Sequence, residues 1–215
     1  MPSTFDPHCR RCPRLAAFLD EVRRQEPKYF CRPVPAFGDP EARLLVVGLA
    51  PGKHGANRTG RPFTGDHAGL LLYATLHKFG FASGPTSIAS DDGLKLLGVR
   101  ITNAVKCLPP ANKPLPIEIH SCNAFLRAEL AQSSSARLIL ALGAVAHAAV
   151  LRAYDLAPGR HRFAHAAEHA LGDRLVLLDS YHCSRYNTQT RRLTVGMFEA
   201  VVGRAVELSR EGALR

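Results

Sequence analysis

"RLLVVGLAPGKHGANRTGRPFTGDHAG" (Arg43–Gly69) runs from an apolar segment straight into a long glycine-rich loop. The apolar part lacks polar alternation, so it reads as a strand buried on both faces. Between Gly48 and Gly69 stand six glycines, two prolines, one aromatic ring (Phe63) and one carboxylate, Asp66. A buried strand that ends in such a loop, just before a helical pattern, opens an α/β unit.

Three more segments repeat that grammar: "GVRITNAVKC" (Gly98–Cys107), "RLILALG" (Arg137–Gly143) and "RLVLLDSYHCS" (Arg174–Ser184). With Arg43–Ala50 they predict four buried parallel strands. Helical patterns follow at about 68–79, 117–131, 144–153 and 190–209. In the last, Leu193, Met197, Phe198, Val201, Val202, Ala205 and Val206 recur at helical spacing. The expected fold is a three-layer α/β/α sandwich around a four-stranded parallel sheet, one domain over residues 1–215. Ligands of such sheets bind outside the carboxyl ends of the strands.

Composition narrows the partners. The formal charge is +10, with only six lysines among 28 basic residues. That balance suits a polyanion, although an arginine-rich composition would produce it as well. No apolar run approaches the roughly 20 residues that span a bilayer, and "MPSTFDPHCRRCPRL" has no signal-like apolar stretch. A cytoplasmic monomer that touches no membrane is expected.

Six cysteines in such a setting point away from disulfides. Cys9 and Cys12 form a C-x2-C, and Cys107 and Cys122 flank 14 residues. Four thiolates in two distant pairs suit zinc or an iron–sulfur cluster. Cys31 and Cys183 read as free thiols.

The strand ends collect polar groups from three places. Gly48, Ala50, Asn57, Phe63 and Asp66 belong to the first loop. Asn103 and Lys106 sit in "TNAVKC". His182, Ser184, Asn187 and Arg192 sit in "HCSRYNTQTRR". The phosphate-loop pattern G-x4-G-K-[ST] is absent, as is G-x-G-x-x-G directly after the strand. His161, His165 and His169 fall at i, i+4 and i+8. With Pro158 and Gly159 at its start and no apolar shell, that stretch reads as a solvated face or an irregular insertion, not a helical metal site.

These three blocks, "GLAPGKHGANRTGRPFTGD", "TNAVKC" and "HCSRYNTQTRRLT", resemble the motifs of uracil-DNA glycosylases, closest to the thermophile-type group called family 5 or type B. The likeness extends from Cys9 to about Thr194. It implies a base-excision repair enzyme that hydrolyses the N-glycosidic bond of uracil in DNA, with hypoxanthine as a further candidate base. It also implies a structural four-iron four-sulfur cluster on Cys9, Cys12, Cys107 and Cys122, in place of zinc. One departure is "HCS", where the family usually has "HPS", so Cys183 replaces a proline. Another position is Leu49, apolar as in type B enzymes, which moves the water-activating role to Asp66.

In that reading a flipped base stacks on Phe63, with Gly48 and Ala50 allowing close approach. Asn103 matches the O4 and N3–H edge of uracil. His182 stabilises the departing base anion. Asp66 orients or deprotonates water or faces the cationic sugar, although a helix N-cap is its plainer role. Asn57 and Asn187 are second-tier holders of the base edge or water. Arg58, Arg61, Lys106, Ser184 and Arg192 grip phosphates, and Arg185 with Tyr186 wedges into the stack. Two rivals remain at this level: a nucleotide or phosphoester hydrolase, and a non-catalytic DNA-binding protein with a four-cysteine metal site.

Overall fold

A computed structural model describes residues 5–172 and 174–211 of the chain. Its sheet has six strands in the order β1-β3-β2-β4-β6-β5. The four central strands are β2 (Leu44–Gly48), β3 (Val99–Asn103), β4 (Leu138–Leu142) and β6 (Val176–Ser180). They pair in parallel, with Gly48 opposite Asn103 and Leu142 opposite Ser180. Two short antiparallel strands extend this expected core: β1 (Phe37–Gly38) on β3, and β5 (Glu168–Ala170) on β6.

Alternation along β2 explains the layers. Leu44 and Val46 join a core with Leu72 and Leu76 of α3 (His67–Lys78) and Phe198, Val201 and Val202 of α7 (Val195–Glu211). Leu45 and Val47 point to the opposite face, against Leu126 and Leu130 of α4 (Pro116–Gln132) and Ala146 and Val150 of α5 (Ala144–Ala153). Each buried Leu or Val contributes about 1.5–3 kcal/mol, so both faces of every central strand are committed. The three-layer sandwich follows.

Two elements depart from the sequence reading. The helix expected from Thr190 to Ser209 starts late. A short α6 (Arg185–Gln189) ends at Thr190, Arg191 adopts φ 57°, and α7 begins only at Val195. The other is an N-terminal helix, α1 (Pro13–Gln25), which places Leu15, Leu19 and Val22 against Val105, Leu108 and Phe125. It starts directly after Cys12, with Pro13 at its first position, where a missing N–H costs nothing.

The segment after α1 runs on to the glycine-rich loop. Phe30 N donates to the Arg58 carbonyl, Cys31 N to that of Asn57, and Tyr29 Oη pairs with His54 Nδ1 at 2.8 Å. His161, His165 and His169 share no helix. His161 follows a 3-10 turn and His169 lies on β5. No helix among the described residues is long and apolar enough to cross a membrane.

Candidate active site

A cleft of about 1160 Å³ opens at the carboxyl ends of β2, β3, β4 and β6. Phe63, Asp66, Asn103, His182 and Asn187 all line it. The glycine-rich loop delivers the first two, the end of β3 the third, and the segment after β6 the others.

Phe63 is buried and holds φ 53°, a left-handed conformation that an aromatic residue adopts only when its surroundings enforce it. Several contacts do so. Tyr73 Oη donates to the Pro62 carbonyl at 2.8 Å, and Thr64 Oγ1 pairs with Ser87 Oγ at 2.7 Å. Gly48 and Gly69 leave the needed room. A Cβ on Gly48 would stand 2.4 Å from the Phe63 ring and 2.5 Å from Asn103 Oδ1, and one on Gly69 only 1.8 Å from the Phe63 carbonyl. Gly48 thus acts through what it lacks, setting the Phe63 ring beside the Asn103 amide.

Asn103 is 3% exposed, and its Oδ1 has no hydrogen-bond partner among the described residues. A buried carbonyl-type acceptor without a donor costs about 1–3 kcal/mol, so a donor brought to this end of β3 would gain a bond.

Asp66 does two things at once. It is the N-cap of α3, with Oδ1 accepting from Gly69 N at 2.9 Å. Oδ2 lies on the side of Gly52 and Gly55, where a Cβ on Gly55 would come within 2.4 Å of it. Burial raises its pKa, and the Gly69 and Ala68 amides offset part of that rise. It is the only carboxylate among the described residues that line the cleft.

His182 stacks on Phe63, and its ring has no hydrogen-bond partner among the described residues. Burial pulls its pKa from 6.5 to about 4. The imidazole is therefore neutral at pH 7, which the sequence left open. Asn187 holds it in place, donating through Nδ2 to the His182 carbonyl at 2.8 Å. Ser184 caps α6 by accepting from Asn187 N. His67, absent from the sequence-derived set, pairs with Thr188 Oγ1 at 2.9 Å and joins the start of α3 to α6. Its place next to Asp66 was the available signal.

Three sequence-derived assignments change. Arg61 is 5% exposed and fully engaged inside the protein. It pairs with Asp92 at 2.6 Å, bonds Ser87 and the Ser90 carbonyl, and lies over the Phe37 ring. Lys106 is 1% exposed and bridges Glu129 and Thr102. Neither can reach a phosphate. Asn57 is fully buried, turns its Nδ2 to Cys31 Sγ at 3.5 Å, and does not line the cleft.

At the mouth stand Ala50, Arg58, Ser184, Arg185 and Arg192. Arg58 and Arg185 are exposed, and Arg192 lies over the Tyr181 ring at 4.7 Å. Tyr186, 70% exposed on the first turn of α6, projects outside the cleft wall. Lys53, His54, Phe163 and Tyr181 complete a wall that sequence motifs did not flag.

Comparison with known proteins agrees with this geometry. The family model described as the uracil DNA glycosylase superfamily matches residues 35–204. A "Type-5 uracil-DNA glycosylase" of Thermus thermophilus is 50% identical over 207 residues, covering 94% of each chain. One of Pyrobaculum aerophilum is 42% identical over 202 residues, covering 92% of this chain and 88% of its own. A "Type-4 uracil-DNA glycosylase" of Thermotoga maritima is 36% identical over 110 residues, about half of each chain. A parallel sheet with its polar groups gathered at one edge, a match over most of the length and type-5 relatives over nearly all of it lead to one assignment: the chain belongs to the uracil-DNA glycosylase superfamily, in its type-5 group.

Proposed function

We propose that the chain is a base-excision repair glycosylase that hydrolyses the bond between uracil and deoxyribose in DNA, acting as a cytoplasmic monomer folded as one domain. The observation that carries the choice of base is the buried, unpartnered Oδ1 of Asn103 beside the Phe63 ring. Uracil brings an N3–H donor to that oxygen and an O4 acceptor to the amide Nδ2. Cytosine brings an acceptor and an amino group instead, leaving buried polar atoms unmatched on both sides. Hypoxanthine carries the same N–H and carbonyl pair as uracil, so it belongs to the accepted set.

The reaction then follows from the electrostatics. A base within a duplex is out of reach and is rotated into the cleft, one face against Phe63. As the glycosidic bond breaks, the sugar gains positive charge and the base leaves as an anion. His182 is neutral, so it donates a ring N–H to the base O2 without transferring a full positive charge. Preorganised donation of this kind contributes about 10²–10³-fold in rate. Asp66 supplies the negative charge, facing the cationic sugar and accepting a proton from the attacking water. Glycosidases that use two carboxylates need one as an acid. With Asp66 alone in the cleft, departure of the base as an anion replaces that acid. The rival phosphoester hydrolase lacks the acidic cluster that would hold a divalent ion here.

We also propose that Cys9, Cys12, Cys107 and Cys122 hold a four-iron four-sulfur cluster. All four line one small cavity with Leu15, Val105 and Phe125. Burial, and then Cys122, Cys9 and Cys12, push the Cys107 thiol up; four thiolates so coupled fit a cationic group. Lys106 N donates to Cys122 Sγ at 3.3 Å, a bond that orients the ligand. When bound, the cluster supplies cross-links between the α1 arm and the 107–122 segment, and no step of the hydrolysis.

The deciding experiment is a single-turnover assay on oligonucleotides carrying uracil, hypoxanthine or cytosine. Release of free uracil, leaving an abasic site, is expected, with cytosine untouched. Intact uracil DNA after incubation with folded protein would overturn the proposal.

A further inference from the structure

We propose that His147, His169 and Asp179 form a zinc site beside the cleft, separate from the catalytic residues and from the cysteines. Asp179 on β6 is fully buried, and an imidazole stands against each of its oxygens. His147 of α5 places Nδ1 at 2.8 Å from Oδ1, and His169 of β5 places Nε2 at 3.0 Å from Oδ2. One donor atom from each of the three lies within 4.8 Å of the others. The side chains are 5%, 10% and 0% exposed.

The other nitrogen of His147 argues for a metal. Nε2 lies 2.8 Å from the His161 carbonyl. With a cation on Nδ1, His147 keeps its one ring hydrogen on Nε2 and donates it to the His161 carbonyl. A backbone carbonyl in that position is the usual outer partner of a metal-bound imidazole and fixes its tautomer.

The donor chemistry narrows the ion to a transition metal. Two imidazoles and a carboxylate suit zinc, whereas magnesium and calcium prefer all-oxygen shells. Tetrahedral zinc with bonds of about 2.0–2.1 Å sets neighbouring donors about 3.3 Å apart, and the three donors here already lie within 4.8 Å of one another. On binding, a hydrogen carried by His147 Nδ1 is released to solvent. The ring hydrogen of His169 moves from Nε2 to Nδ1. Three protein donors leave a fourth position for water.

Such an ion would fasten the 158–170 segment to α5 and β6. That segment carries part of the cleft wall. Phe163 lines the cleft and meets His147 edge-on at 5.7 Å, and His165 stacks on Tyr181 of the wall at 5.0 Å.

The test is calorimetric titration of the full-length protein, dialysed against a chelator, with zinc acetate, followed by zinc K-edge absorption. One zinc per chain in a nitrogen and oxygen shell is expected, with at least a 100-fold weaker affinity in His169→Ala and in Asp179→Asn. His169 lies on a three-residue edge strand, so its variant decides the matter alone if Asp179→Asn fails to fold. Absence of stoichiometric binding, unchanged affinity in His169→Ala, or a sulfur shell at about 2.3 Å, which would place the zinc on the cysteines, overturns the proposal.

Discussion

Phe63 and His182 face each other with ring centroids 5.9 Å apart and planes inclined by 29°. A base sandwiched between two rings needs about 7 Å, two contact layers of about 3.5 Å each. In the proposed reaction His182 therefore meets a flipped base at its edge, where a ring N–H can reach O2, and Phe63 supplies the face. These two rings would then divide shape recognition from charge stabilisation.

Asp66 carries both the α3 cap and the proposed charge, and these separate by substitution. Asn caps as well as Asp, so Asp66→Asn should keep stability within about 0.5 kcal/mol while the single-turnover rate falls about 10²-fold or more. Asp66→Ala should lose the same rate and about 1 kcal/mol besides. Full activity in Asp66→Asn would leave only the cap.

The neutrality of His182 has a pH signature. Its folded pKa, about 4, lies below the ordinary 6.5, so protonation favours the unfolded chain. Its contribution to stability is complete above pH 6.5 and is lost as pH falls toward 4. His182→Gln should flatten that part of the stability curve in denaturant titrations. The rate should stay level through the pH range where an ordinary histidine titrates. It should fall at lower pH as Asp66 protonates, with a midpoint above the ordinary 3.8 because burial raises this group. A histidine titrating at its ordinary value, assigned to His182 by NMR, would contradict this.

Gly48→Ala tests the spacing of Phe63 and Asn103. The added methyl overlaps both and should cost about 1–3 kcal/mol as overpacking. Uracil binding should weaken while non-specific affinity for DNA persists, because the mouth cations are untouched. Equal loss of both in fluorescence titrations would contradict this.

Cations should sort by burial. Arg58→Ala, Arg185→Ala and Arg192→Ala should each lower the salt slope of DNA binding by about one. Lys106→Met leaves the largely buried Glu129 carboxylate with Thr102 Oγ1 but no cation, a loss of up to about 3–5 kcal/mol, with the salt slope unchanged. A lower slope in folded Lys106→Met would restore it to the DNA path.

The cluster assignment has a visible readout. Purified protein should be yellow-brown. Cys107→Ser should bleach it and lower the melting temperature, whereas Cys31→Ala and Cys183→Ala should keep the colour. Colourless protein with one zinc per chain and no iron would refute the cluster.

The parallel core was legible because runs such as "LLVV" leave no polar face and so admit only a doubly covered strand. The strand-end location of the cleft followed from that topology. Less visible were features fixed by distant partners. Arg61 and Lys106 look like surface cations until Asp92, 31 residues away, and Glu129, 23 residues away, come into contact. The two-residue β1 and three-residue β5 are too short to show a period. The helix expected from Thr190 begins only at Val195, because an apolar spacing that starts at Leu193 marks the helix but not its first residue. The shell around His169 was invisible for a similar reason, since its partners lie on α5 and β6.

The arm before β1 also imposes an order on assembly. It leaves the ribosome before its partners do: Arg58, then Val105 and Cys107, then Cys122 and Phe125. During synthesis, at about 5–20 residues per second, the arm waits several seconds for the surface it covers. The arm thus docks only once Phe125 has emerged, and its backbone bonds to Asn57 and Arg58 tie that docking to the glycine-rich loop.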